Sequence, residues 1–94
     1  MKATWKDAVL AESDDTVVVE GNHYFPRESI RPEHLRASAT HTTCHWKGQA
    51  SYWSVTDDLR RGADVAWSYL DAFPAADEIC GHVAFWRGVR VVAG

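Results

Sequence analysis

Cys44, Lys47 and a group of aromatic side chains are the residues of this chain with chemistry to offer. The run Thr43-Cys44-His45-Trp46-Lys47-Gly48-Gln49-Ala50-Ser51-Tyr52-Trp53 sets a thiol, an ammonium and a phenol among indole rings. Tyr24-Phe25-Pro26-Arg27 precedes it, and Ala66-Trp67-Ser68-Tyr69 follows. Brought together, these groups make a walled small-molecule cleft. Lys47 would fix an anionic group, the phenols of Tyr24, Tyr52 and Tyr69 would hydrogen-bond polar atoms, and Trp46 and Trp67 would stack on a planar portion. Cys44 is then either a nucleophile or part of the wall. A nucleophilic cysteine needs its thiolate stabilised, and Lys47 and His45 in the same turn are the groups able to do it. The competing reading is a buried, inert cysteine that fills space, since no Asp or Asn is placed to orient an imidazole base.

Other chemistries fit less well. Cys44, His45, Cys80 and His82 supply two thiols and two imidazoles, but adjacent residues on a strand point to opposite faces and no CxxC pair is present, so no metal or other cofactor is expected. Lys47-Gly48 lacks the glycine-rich lead-in of a phosphate loop, and Gln49 stands where Ser or Thr would hold a magnesium ion. No acidic motif is suited to holding the metal ions of nucleotidyl transfer. His23, His34 and His41 carry no spacing signal.

The bulk composition bounds the answer further. The 94 residues make a single domain, 1–94, with one core to build. Five tryptophans supply much of that core, each ring burying roughly 150–250 Å². A net charge of −3 without a Lys/Arg cluster argues against a nucleic-acid surface. No apolar run is long enough to cross a bilayer, and Met1 to Asp7 lacks the apolar stretch of a signal peptide, so a cytoplasmic protein is expected. Two cysteines are too few for a disulfide framework.

The elements that must position these residues are short strands. Ala3–Leu10 reads as an edge strand, Glu12-Ser13-Asp14-Asp15 as a turn, and Thr16–Glu20, β-branched and ended by Gly21-Asn22, as the hairpin partner of the first strand. Ser29–Leu35 reads as one or two helical turns with Pro32 near the start. Ala37–Thr43 and Ala50–Val55 are strands flanking a Trp46-Lys47-Gly48 turn, and the second sends Tyr52 and Ser54 to one face and Ser51, Trp53 and Val55 to the other. Leu59–Arg61 reads as a short strand. Val65, Trp67 and Tyr69 share a face of the next one. Pro74–Ile79 is a short helix stopped near Gly81. His82–Trp86 and Val89–Val92 read as a closing hairpin through Arg87-Gly88. The fold class is therefore mainly β, two small antiparallel sheets with one or two short helices.

With these blocks in view, the chain resembles a bacterial family known as domain of unknown function 427, sometimes labelled nucleotidyltransferase-like. The resemblance covers nearly the full length. It rests on Tyr24-Phe25-Pro26, Thr43-Cys44-x-Trp46-Lys47-Gly48-x-Ala50-Ser51-Tyr52, Ala66-Trp67-Ser68-Tyr69 and Ile79-x-Gly81-x-Val83-Ala84-Phe85. His45 departs from the family pattern, which lowers its weight as a functional residue. The resemblance implies a β-tent fold, with two sheets leaning together and a ligand pocket lined by aromatic rings; a shared fold does not carry a reaction with it. Two functional readings follow. The first is a domain binding a small planar or anionic molecule beside Cys44 and Lys47. The second is a non-catalytic interaction module that docks a partner chain or a second copy of itself, a homodimer, through an exposed aromatic patch.

Overall fold

The computed structural model describes residues 1–94. It contains nine strands: β1 (Lys2–Trp5), β2 (Ala8–Glu12), β3 (Val17–Val19), β4 (Asn22–Tyr24), β5 (Leu35–Cys44), β6 (Gly48–Val55), β7 (Ala66–Ser68), β8 (Val83–Phe85) and β9 (Arg90–Val92). Short 3-10 turns at Arg27–Ser29, Pro32–His34 and Pro74–Ile79 interrupt them. All strand pairing is antiparallel, in a three-stranded sheet β2-β1-β9, a β3-β4 hairpin and a four-stranded sheet β5-β6-β7-β8. The mainly β class expected from the sequence is the class observed.

The hairpin is tied to the large sheet. Phe25, just beyond β4, exchanges both backbone hydrogen bonds with Val83 on β8, so Tyr24 and Phe25 act as a fifth edge. Directly paired residues share a face. The pairs Tyr52↔Trp67 and Trp67↔Ala84 therefore define one face, and Ser51↔Ser68, Ser68↔Val83 and Phe25↔Val83 the other. Each face builds its own apolar cluster. One holds Phe25, Val55, Ala66, Val83 and Phe85 against Ala3, Leu10 and Ala11 of the small sheet. The other holds Tyr24, Ala50, Trp67, Tyr69 and Ala84 against Ala76 and Ile79 of the last 3-10 turn, with Val17 and Val19 of the hairpin alongside.

Five expectations are corrected. Ala3–Leu10 is two strands, because the chain reverses at Lys6-Asp7 with Lys6 at φ 51°; no Gly, Pro or Asn marks that turn. β1 accordingly pairs with β2, and Val17–Val19 pairs with Asn22–Tyr24 instead. Leu59–Arg61 is a turn, since Asp58 accepts from the Arg61 amide at 3.2 Å through its carboxylate and from the Gly62 amide at 2.7 Å through its carbonyl. β8 and β9 do not pair. The reversal at Arg87-Gly88, both at positive φ, carries the chain to the other sheet, where Val91 lies opposite Ala3. Val65 also parts from Trp67 and Tyr69, joining the first cluster.

Phe25 is the residue that joins strand pairing to core packing. It is fully buried and meets Phe85 edge-on at 5.5 Å between ring centroids. Phe25→Ala is expected to destabilise the domain by about 3–5 kcal/mol, a large fraction of the total stability of a chain this size. Urea unfolding followed by tryptophan fluorescence measures it, and a loss below about 1 kcal/mol would show that the core repacks around the missing ring.

Candidate functional site

The second cluster is where the chemistry-bearing residues meet. Alternation on β6 and β7 sends Tyr52, Trp67 and Tyr69 to one face, and the β3-β4 hairpin delivers Tyr24 beside them. Trp67 donates its indole N–H to the Tyr24 hydroxyl at 3.2 Å, with the two rings edge-on at 6.2 Å. Tyr52 is oriented from the neighbouring strand by a 2.9 Å hydroxyl–hydroxyl contact with Thr42. Cys44 and Trp46 are half-buried and pack against the same cluster.

Lys47 reaches this group through the turn between β5 and β6. Gly48 makes the turn possible: its φ is 111°, and the Asp71 carbonyl would sit 3.4 Å from any added Cβ. The Phe73 amide donates to the Lys47 carbonyl at 3.0 Å and locks the turn against the following loop. Lys47 is only 8% exposed, a rare state for a lysine. Its ammonium lies 5.0 Å from the centre of the Trp46 ring and 5.5 Å from that of Tyr69. It donates to the carboxylate of Glu20, which was not singled out from the sequence.

Glu20 occupies an unusual position. With Gly21 it forms the two-residue loop of the β3-β4 hairpin, at φ 54° and 79°. Positive φ at both positions is what a type I′ loop demands, and Asn-Gly is the preferred pair. A glutamate in the left-handed region carries a conformational cost that asparagine there does not. The ion pair with Lys47 is a reason for an acid at this position that turn chemistry does not supply.

The electrostatics follow from burial. Burial raises the Tyr24 pKa above its ordinary value, with the Trp67 hydrogen bond and the Lys47 charge acting in the opposite sense. Burial raises that of Tyr69 too, against the pull of Lys47. For Lys47, burial alone favours the neutral amine, but the Glu20 hydrogen bond and the nearby phenols outweigh it and leave the pKa raised. At neutral pH Lys47 is therefore charged and the phenols of Tyr24 and Tyr69 are protonated.

Tyr24, Cys44, Trp46, Lys47, Tyr52, Trp67 and Tyr69 thus belong to one neighbourhood. Other sequence candidates do not join it. His45 and Cys80 are exposed, His23 contacts Thr16, His41 contacts Ser51, and no three Cys, His, Asp or Glu side chains are grouped to hold a metal. No helix is long and apolar enough to cross a membrane. The structure's cleft, about 310 Å³, opens on the opposite face of the large sheet and is lined by none of these residues.

The raised values of Tyr24, Tyr69 and Lys47 give a pH signature. Each folded-state pKa exceeds its unfolded value, so the stability these groups contribute is complete below about pH 10 and is lost as pH climbs through the folded values. The urea midpoint should be level from about pH 7 to 9 and fall from about pH 10 to 12, less steeply in Tyr24→Phe. An equally steep fall in that variant would remove Tyr24 from the account.

The profile of the family described as domain of unknown function (DUF427) matches residues 1–93. No curated protein matches the chain. The match extends over both clusters, the Glu20-Gly21 loop and the Cys44–Gly48 turn, and on that basis the chain belongs to the DUF427 family.

Proposed function

We propose that the domain binds a small planar anion at Lys47, with the Glu20 carboxylate holding the ligand's place until it is displaced. The observation that carries this reading is the enclosure of a charged lysine by aromatic rings, with its only carboxylate partner on a hairpin tip. The Lys47 side chain is 10% exposed and that of Glu20 55%. A half-exposed carboxylate on a strained two-residue loop can leave without disturbing either core. An incoming carboxylate or phosphate would inherit the charge-assisted hydrogen bond, its planar body would lie along Trp46 and Tyr69, and the neutral phenols would donate to its polar atoms. Because the Tyr24 hydroxyl accepts from Trp67, its own proton is free to be given. Cys44 stands at the edge of the same cluster as wall or nucleophile.

Glu20→Asn is the discriminating variant, because it replaces the competing carboxylate with the residue a type I′ loop prefers. Calorimetric titration with benzoate should show binding roughly tenfold tighter than in the wild type, a gain of about 1.4 kcal/mol, and Lys47→Met should abolish it. Benzoate binding no tighter in Glu20→Asn than in the wild type would sink the reading.

The thiol is tested separately, in a Cys80→Ser background that leaves one cysteine. If Cys44 is a nucleophile, iodoacetamide should modify it faster at neutral pH than free cysteine, whose thiol is mostly protonated near pKa ~8.5, and bound benzoate should slow the reaction. A slower reaction in the native state assigns Cys44 to the wall. The alternative reading, an interaction module, draws on Phe73, exposed at 46% beside the Lys47 turn. A solution mass of twice 10.5 kDa would favour it.

A further inference from the structure

The cleft on the far face of the sheet has the features of a second site, built independently of Lys47. Its walls come from the two halves of the chain. Leu35, Trp53 and Val83 stand on the sheet, Ile30 and Pro32 approach from the segment carrying the first two 3-10 turns, and Leu70 and Gly81 close one end. Five of its eight lining residues are hydrophobic, and the cleft's volume of about 310 Å³ lies at the lower end of the range for small-ligand pockets.

Charge is confined to one place. Arg27 is the single ionisable residue lining the cleft, and no acid accompanies it. Its guanidinium enters no ion pair, whereas nearby Arg31 faces Glu12 at 4.0 Å. Arginine presents a planar fork of N–H donors matched to a carboxylate. Ser68, paired with cleft-lining Val83, is fully buried in the sheet beneath and does not line the cleft. Gly81, at φ 76°, adds no side chain, and a Cβ built there would meet nothing within 4 Å.

We propose that this cleft binds a small amphipathic carboxylate, its apolar body against Trp53, Leu35 and Val83 and its carboxylate on Arg27. The pattern of one unpaired fork at the mouth of an otherwise apolar hollow selects an anion with a greasy tail over a neutral apolar compound or a polyanion. A polyanion would find no second cation here, and a fully apolar guest would leave Arg27 unused.

The test uses 3-phenylpropanoate and its neutral counterpart 3-phenylpropan-1-ol, titrated into the whole domain and followed by two-dimensional amide NMR. The carboxylate should move the Gly81 and Val83 amides and the Trp53 indole N–H, with a Kd on the order of 1 mM or below. Arg27→Ala, at an exposed position that disturbs no core contact, should weaken the carboxylate roughly tenfold and leave the alcohol within about twofold. Leu35→Trp, which fills the hollow, should abolish both. The proposal is overturned if no cleft resonance moves, if Arg27→Ala leaves the carboxylate's affinity unchanged, or if the shifts map to Trp46, Gly48 and Ala72. That last result would place the ligand at Lys47 and leave the benzoate reading standing without this one.

Discussion

A buried lysine organises half of this molecule. Taking an ammonium out of water costs several kcal/mol unless it is paired and surrounded by compensating groups, so Lys47 can occupy the second cluster only if other elements come to it. The β5-β6 turn aims it inward, the Asp71–Phe73 loop holds that turn by a backbone hydrogen bond, and the β3-β4 hairpin brings Glu20 over it. The rings of Trp46 and Tyr69 supply the rest of the compensation. Three separate stretches of chain are thereby committed to one ion. The conformational cost at Glu20 is part of the same commitment, because the loop adopts a less favoured residue in order to deliver a carboxylate.

The sheet beneath explains why the arrangement stays local. With both faces of β6, β7 and β8 covered, successive residues serve different clusters, and a one-residue slip would exchange all of them. Tyr52 and Trp67 cannot move toward the other face without dragging Trp53 and Ala66 into theirs. The double bridge between Phe25 and Val83 pins the hairpin to this register, so the position of Glu20 relative to Lys47 is set by sheet pairing. The ion pair contributes charge neutralisation within a geometry that backbone hydrogen bonds already define.

Much of this was legible in the sequence because a strand's period of 2 is simple. The split of Tyr52 from Trp53, the Trp46-Lys47-Gly48 turn and the short helical turn from Pro74 follow from alternation plus the positions of glycine and proline, whereas the gathering of Tyr24, Cys44, Lys47, Trp67 and Tyr69 was expected from residue types and not from spacing. What escaped had causes of another kind. The reversal at Lys6-Asp7 carries no glycine, proline or asparagine, only the weaker signal of Asp7, and Leu59–Arg61 was captured by Asp58 through contacts that propensity does not report. β9 chose β1 over its neighbour β8 because strand choice is a tertiary decision. Glu20 was missed although a signal existed: a glutamate preceding glycine in a two-residue loop is a poor turn former, and such a residue needs a long-range partner to justify it. The cleft was illegible, since Arg27, Leu35, Trp53 and Gly81 share no spacing.

The two candidate sites are close neighbours through the backbone despite facing opposite ways. Tyr69 belongs to the Lys47 cluster, and the next residue, Leu70, lines the cleft. The Gly81 amide, on the cleft side, donates to the Tyr69 carbonyl at 3.1 Å. The end of β7 is thus a common wall, held by a hydrogen bond whose donor belongs to one site and whose acceptor belongs to the other. A change at Leu70 acts on the cleft through its side chain and on Tyr69 through the peptide that joins them. Arg27 and Glu20 lie outside this shared wall, on separate segments facing separate clusters, and that is why substitutions at those two positions report on one site each.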